Sequence, residues 1–199
     1  MITKSTLKKL YIGKSMTEIA RELKCSVHTV VYWMEKHGIQ RRSISEAMYL
    51  KANPTGDPYK IRNYISPNEK FLLGLAIGIY LGEGNKTALH SLRVTNSNPI
   101  ILRVFLHFLD QICNFNPVRI SYSIVCFNDT NPETARRYWA EIFHIIPEKF
   151  GKITQIPKQS KGTYRKKSLY GVCTVQANNV KLRNWFFKRI DDLDNILPR

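Results

Sequence analysis

A glycine at every fourth position of one apolar segment, residues 66–84, constrains this chain more than any other feature. Residues four apart lie on nearly the same side of an α-helix, so these glycines form one stripe along it: Gly74, Gly78 and Gly82. Each glycine inside a helix costs roughly 1 kcal/mol relative to alanine, so the stripe needs a compensating contact. The pattern indicates that another backbone packs closely on it, either a second copy of the helix or the sheet of the same chain.

The same segment has the signals of a capped helix and ends on one acidic residue. Ser66 suits the N-cap, Pro67 suits the first helical position, and Glu69 closes a capping box with Ser66. At the other end, Glu83 stands between two glycines. Two such helices packed along their stripes would bring two copies of Glu83 together, and paired carboxylates suit a divalent cation. We expect the chemistry here, against the alternative that Glu83 is an ordinary surface residue at a helix end.

The charge of the chain is the second constraint, because it carries a formal +16 with an isoelectric point near 9.8. Residues 1–60 contribute +6, residues 61–150 contribute +2 and residues 151–199 contribute +8. This excess predicts a polyanionic partner, and we expect double-stranded DNA bound by the two basic ends. Solubility alone, or attraction to an anionic membrane, is the alternative explanation.

Neither a membrane segment nor a secretion signal is predicted. The apolar run 71–81 is far shorter than the ~20 residues that span a bilayer, and the N-terminus lacks an apolar signal core. The four cysteines are scattered without a CxxC pair, which predicts small apolar fillers rather than a zinc site or disulfides. We therefore expect a cytoplasmic, nucleoid-associated protein that uses no small-molecule cofactor.

The N-terminal part, residues 1–45, predicts a small all-α domain of three short helices at 3–11, 16–23 and 27–36. A short turn separates the second helix from the third, and Ser26 caps the third. This arrangement resembles the helix-turn-helix of resolvase-like and transposase-like proteins, whose last helix enters the major groove of DNA.

The third of these helices divides into an inner and an outer side. Val30 and Met34 are four residues apart and are expected to face inward, whereas several aromatic and polar residues remain outside. DNA or the second domain could cover that outer side. We expect base contacts from His28, Thr29 and Tyr32, and backbone contacts from Arg41 and Arg42.

Residues 46–65 are mostly polar and predict a linker, and residues 66–199 predict a second domain. After the glycine-striped helix, the pattern predicts a strand or hairpin at 89–95, then helices near 98–112, 131–146 and 179–193, with strands at 118–127 and 169–176. This order predicts an α+β domain with helices on one side of a mostly antiparallel sheet.

The end of the striped helix resembles the signature of the LAGLIDADG homing endonucleases, in the type with one motif per chain. Gly78 and Gly84 match the glycines of the signature, Gly82 matches a small residue, and Glu83 stands where the family has its metal-binding Asp or Glu. The strand that follows leads to Asn96-Ser97 and a new helix, as in the family. Only this motif is specific.

The resemblance implies a fold of the order α-β-β-α-β-β-α, with a mixed or antiparallel sheet. That order accounts for residues 66–199 when 128–167 is treated as an insertion, so the resemblance covers about two-thirds of the chain. Family members pack two motif helices together and lay a curved sheet along the major groove. The single motif here implies a homodimer and a roughly palindromic DNA target.

Site residues follow from the same resemblance. It implies that Mg²⁺ is held by Glu83 and Gly82, and that Gly74 and Gly78 lie in the dimer interface. Asn96 occupies the position where active relatives often have a catalytic Lys or Gln, and it brings no positive charge. Further DNA contacts are expected from basic residues of the second domain: Arg93, Arg119, Lys158, Lys161, Arg165, Lys166 and Lys167.

Two functions remain open at this point, with a maturase-like role on RNA as a third. The first is a sequence-specific, Mg²⁺-dependent DNA endonuclease that hydrolyses phosphodiester bonds as a homodimer, and the presence of Glu83 favours it. The second is a catalytically inactive, LAGLIDADG-derived transcription regulator. The missing lysine and the helix-turn-helix favour this regulator.

Overall fold

The computed structural model describes residues 1–62, 65–157 and 168–195, and the chain divides into two compact units, Met1–Asp57 and Pro58–Arg199. Each unit has a hydrophobic core of its own. The described residues hold eight α-helices and four strands, which confirms the predicted α+β class. No helix in these ranges has the length and apolar character needed to cross a lipid bilayer.

The first unit contains four short helices: α1 (Lys4–Tyr11), α2 (Met16–Glu22), α3 (Val27–Lys36) and α4 (Ile44–Ala52). A hydroxyl side chain starts each of the first three, because Thr3, Ser15 and Ser26 accept a hydrogen bond from a backbone N–H of the first turn. Val30 and Met34 are fully buried, as the sequence predicts. They complete one core with three other residues: Leu7, Ile19 and Ala20.

Helix α4 corrects the assignment of residues 46–65 to a linker. Ser43 and Glu46 close a capping box that starts it, and the helix continues through residue 52. None of its residues is buried, and Ile44 and Met48 are largely exposed. Its apolar residues do not gather on one side, so the sequence has no helical periodicity that would reveal it.

The second unit builds one sheet and four helices: α5 (Pro67–Glu83), β1 (Leu92–Asn96), α6 (Pro99–Gln111), β2 (Ile120–Phe127), α7 (Pro132–Phe143), β3 (Thr154–Ile156), β4 (Val172–Ala177) and α8 (Val180–Asp191). The strand order is β1-β4-β2-β3. Strand β4 pairs antiparallel with β1 and β2, whereas β3 runs parallel to β2, so the sheet is mixed. The first strand begins at Leu92, three residues later than the predicted start.

One face of this sheet packs against the helices. Alternate strand residues are buried there, including Leu92, Val94, Ile124 and Val175. They form a single core with the inner sides of all four helices. Three of the four cysteines are buried in this core, and burial raises the pKa of the Cys113 and Cys173 thiols. The prediction that the cysteines serve as apolar fillers is confirmed for these three.

Tyr80 lies at the centre of that core and fixes the end of α5. Its ring contacts Phe186 edge to face, with 5.2 Å between the ring centroids. Its hydroxyl donates a hydrogen bond to the carbonyl oxygen of Asn85 at 2.6 Å. The buried tyrosine therefore connects the last turn of α5 to the chain that leaves it.

Candidate nucleic-acid interface and metal centre

The glycine stripe of α5 lies on an open face of the helix. A Cβ atom added at Gly74, Gly78 or Gly82 would meet no heavy atom within 4 Å, apart from the helix's own backbone and chain neighbours. Large apolar side chains flank the stripe and are exposed by 41–70%: Phe71, Leu75 and Leu81. The opposite side of α5 faces the core through Ala76, Ile77 and Tyr80. The alternative that the stripe packs on the chain's own sheet is therefore wrong.

Glu83 ends α5 beside the edge of the sheet. Gly84 forms a backbone bridge with Val94, and the Asn85 N–H donates to the carbonyl oxygen of Arg93 at 2.9 Å. Only glycine fits at position 84, because a Cβ there would lie 2.5 Å from the backbone oxygen of Tyr80. Strand β1 is an outer strand, so the exposed Glu83 lies at a free edge.

Lys86 is a charged neighbour of this acid that the sequence analysis missed. It stands in a tight turn in which the Asn85 side-chain oxygen accepts hydrogen bonds from the N–H groups of Thr87 and Ala88. From this turn its ammonium donates to the carbonyl oxygen of Gly82 at 3.4 Å. The clue in the sequence is a lysine four residues after a helix-terminal carbonyl, which is a place where cations cap helices.

The donor atoms at the end of α5 suit a hard cation. The Glu83 carboxylate and the Gly82 carbonyl are oxygen ligands of the kind that Mg²⁺ prefers. Within the described ranges, no three residues of the types His, Cys, Asp and Glu are grouped so that they could hold a metal ion. No such cluster therefore surrounds Glu83 within the described residues of one copy.

Asn96 lies at the end of β1, where its side chain starts the next helix. Its side-chain oxygen accepts a hydrogen bond from the Asn98 N–H at 2.7 Å, and the Asn98 side chain then caps α6. The NH₂ group and the second lone pair of this oxygen are the parts of the side chain that this bond does not use. This local bond is the ordinary behaviour of asparagine before a helix.

The face of the sheet opposite the helices is polar along β1 and the first half of β2, whereas two valines and Phe127 make its other end apolar. Every second residue of β1, β2 and β4 points away from the core there: Arg93, Thr95, Ser121, Ser123, Val125, Phe127, Val172, Thr174 and Gln176. None of these residues is buried, and none is acidic. The hydroxyl groups of Thr95 and Thr174 hydrogen-bond across the strands at 2.8 Å. Such a surface in a strongly basic chain suits a polyanion.

Sequence analysis named only Arg93 on this face. The other members could have been found from the alternation in Ile120-Ser-Tyr-Ser-Ile124, where serines stand between apolar residues. Arg119 is exposed in a 3₁₀ turn just before β2. The remaining basic residues expected to bind DNA lie outside the described residues: Lys158, Lys161, Arg165, Lys166 and Lys167.

On α3, the residues expected to contact bases differ in their exposure and in the hydrogen bonds that they already make. His28 is exposed, and Tyr32 exposes 55% of its surface. The Thr29 hydroxyl lies 2.9 Å from that of Ser26, so it takes part in capping its own helix. Trp33 is one of the aromatic residues that the helical pattern places near the outer side of α3. In the structure it is partly buried against the core of the first unit.

Of the two arginines after α3, one is exposed and one is held by its own domain. Arg41 lies 3.9 Å from Glu35, a loose surface ion pair. The Arg42 guanidinium donates to the carbonyl oxygens of Ile12 and Lys14 and lies 4.0 Å from the ring centroid of Tyr11. These two bonds use two of the five N–H donors of Arg42, so a phosphate contact would have to be made by the other three while the guanidinium stays at the end of α1.

No protein-family model, curated protein or solved structure matches this chain. The function therefore has to be argued from the end of α5, the open sheet face and α3.

Proposed function

We propose that the protein is a homodimeric, metal-dependent DNA endonuclease of the LAGLIDADG type. One observation carries the proposal: the open glycine stripe of α5 ends in an exposed carboxylate at the edge of a sheet whose free face has no acidic residue among the described strand residues. The stripe provides a surface for a second copy, the carboxylate provides a cation ligand, and the sheet provides a surface for DNA.

The dimer follows from the composition of the open side of α5. It presents glycines and large apolar side chains with no charged residue between Phe71 and Gly82. An apolar helix face of this kind is a binding surface rather than a solvated one. Because the same stripe would be used by both copies, the contact is isologous and has two-fold symmetry. When the two-fold axis runs along the helices, the two copies of α5 are parallel and the two Glu83 residues meet at their C-terminal ends.

The chain's own residues then have distinct tasks. The Glu83 carboxylate and the Gly82 carbonyl would hold the cation, and the Lys86 ammonium would add positive charge where a phosphate has to approach. A bound Mg²⁺ supplies polarisation of a phosphoryl oxygen and a lowered pKa of bound water. The open sheet face orients the duplex, and α3 adds contacts from the first unit.

A cleavage assay tests the proposal. The protein is incubated with a plasmid library containing random inserts, with and without Mg²⁺, and cut ends are sequenced. We expect metal-dependent cuts at one sequence, abolished by Glu83→Gln. Glu148→Gln is the matched control, because it removes an exposed carboxylate of the same unit away from α5. Equal cleavage by the Glu83→Gln variant and the wild-type protein would overturn the role of Glu83.

The second candidate is a regulator that binds DNA without cutting it. Two observations favour it: Lys86 occupies the Gly82 carbonyl that a cation would use, and the Asn96 side-chain oxygen is taken by Asn98. The same library distinguishes the two. Recovery of one bound sequence, with no cut ends from either wild-type protein or Glu83→Gln, supports the regulator.

A further inference from the structure

Arg93 is the one charged side chain among the described strand residues of the open sheet face. Its Nε–H donates to the side-chain oxygen of Gln176 at 2.9 Å, and the two residues are direct cross-strand partners. Gln176 in turn donates to Asn178, and the Asn178 amide donates to the Ser121 hydroxyl at 3.1 Å. A continuous line of hydrogen bonds thus crosses β1, β4 and β2.

This line fixes the orientation of the guanidinium before any ligand binds. Arginine has five N–H donors in a planar fork, and the bond to Gln176 uses the one on Nε. The four donors on the terminal nitrogens have no hydrogen-bond partner among the described residues. Because Gln176 already restricts the side chain, less conformational entropy is lost when the fork binds a ligand.

The surroundings decide which ligand the fork suits. A planar guanidinium binds carboxylates, phosphates and the O6 and N7 atoms of guanine with two parallel hydrogen bonds. Arg93 is the one cation among the described strand residues of this face, so the face supplies little charge for a row of phosphates, and the neighbours of Arg93 are amide and hydroxyl groups. Amides and hydroxyls are the groups that read base edges in the major groove. The neighbours of Arg93 therefore favour a base over a phosphate.

We propose that Arg93, held by Gln176, reads O6 and N7 of one guanine in the major groove of the target. The inference rests on the DNA-binding half of the proposed function and does not depend on cleavage. Gln176 acts as a positioning residue. In a two-fold dimer the same contact occurs once in each half-site, so the target carries this guanine twice.

Selection from a random duplex pool without Mg²⁺ tests the inference on the full chain. Wild-type protein is expected to select one guanine at a fixed position in each half-site. Arg93→Lys keeps the charge but lacks the fork, so the selected base at that position becomes variable. Affinity for the wild-type site falls roughly 10- to 100-fold, whereas binding to unrelated duplex stays the same. Gln176→Met, which keeps the side-chain length, is expected to weaken the same preference less.

A base analogue gives a second measurement that does not depend on how the variants fold. Replacing the selected guanine by 7-deazaguanine removes N7, and wild-type binding is expected to fall while Arg93→Lys binding does not fall further. Arg103→Lys, an exposed arginine on α6, is the control variant and leaves the selected site unchanged.

Three outcomes would count against the proposal. An Arg93→Lys protein that selects the wild-type site overturns the guanine contact alone. Equal weakening on all duplexes identifies Arg93 as a phosphate ligand and also overturns it. A wild-type protein that selects no sequence at all overturns sequence-specific DNA recognition together with this inference.

Discussion

At the scale of single residues, the Lys86 ammonium at the end of α5 occupies the carbonyl oxygen of Gly82, which a cation bound by Glu83 would also use. Lys86 is held by the Asn85 turn and donates to Gly82, directly before Glu83. Two like charges 4 Å apart repel by about 1 kcal/mol even in water, so the ammonium opposes a bound cation. If Mg²⁺ binds at Glu83 as proposed, we expect this arrangement to lower its affinity until a phosphate brings compensating negative charge.

Lys86→Met tests this competition directly. Removing the ammonium is expected to raise Mg²⁺ affinity in the absence of DNA by about fivefold, which corresponds to roughly 1 kcal/mol. Titration calorimetry on the full chain measures it, with Lys149→Met as the control for loss of a lysine elsewhere. A variant that binds Mg²⁺ as weakly as the wild-type protein would contradict the competition.

The capping boxes make stability depend on acid pH. Hydrogen bonds from the Ser66 backbone N–H and hydroxyl hold the pKa of Glu69 below its ordinary 4.5, with help from Arg62. Because the folded pKa is the lower one, this stabilisation is complete above pH 4.5 and is lost as the pH falls through the folded value. Glu69→Gln cannot titrate, so its urea midpoint is expected to change less with pH in that range.

Urea unfolding at a series of acid pH values checks this prediction. Glu148→Gln, which lies outside the capping boxes, serves as the control. An unchanged pH slope in Glu69→Gln would show that the box does not contribute.

At the scale of elements, the two sides of α5 have different environments. Its inner side holds Tyr80 in the core, and its outer side exposes the glycines and Phe71. A large side chain on the outer side should therefore leave the fold of one copy intact while preventing close helix packing.

Gly78→Met is the corresponding test. Methionine is a better helix former than glycine and its Cβ meets open space, so the monomer is expected to gain up to about 1 kcal/mol in unfolding free energy. Sedimentation is expected to show loss of the dimer in the same variant. Glu141→Met on α7 adds the same side chain at another exposed helical site and should keep the dimer. A dimer that survives Gly78→Met would refute packing through the stripe.

The same scale shows how far the sequence predicts this structure. The starts of four helices can be predicted from their N-cap residues: α2, α3, α5 and α6. The predicted ends of these helices agree with the structure to within about two residues. Helix α4 was missed because its apolar residues have no common side. Strand β3 was missed because three residues pairing in parallel with a distant strand leave no local signal.

The candidate site could be predicted only in part from the sequence, for a related reason. The sequence identified the stripe and Glu83, but a helix that is apolar all round does not reveal which side is covered. The line from Arg93 to Ser121 joins residues from three strands far apart in the chain, and Arg42 bonds to carbonyls 28 and 30 positions earlier. Long-range contacts of this kind depend on the fold and not on local pattern.

At the scale of the whole molecule, the proposed function gives each of the two units a surface for a polyanion. The first unit carries four capped helices with exposed residues on α3, and the second carries the sheet face and the α5 end. Phosphate contacts from separate surfaces add to affinity and make it steeply dependent on salt.

Removing residues 1–57 tests whether the first unit contributes to DNA binding. Each unit has its own core, so the remaining unit is expected to keep its circular dichroism spectrum. Its affinity for the selected site should fall and the slope of log affinity against log salt should become shallower, because fewer phosphates are contacted. Footprints and salt slopes identical to those of the full chain would show that the first unit does not bind DNA.

The central claim is that two α5 helices pack along their stripes and bring both Glu83 residues together. The most direct measurement is the distance between spin labels at Glu83→Cys, in a Cys25→Ser background because that thiol is only half-buried. The account predicts one distance clearly shorter than the about 25 Å length of the 17-residue α5. Absence of dipolar coupling, or a distance longer than the helix, would contradict it.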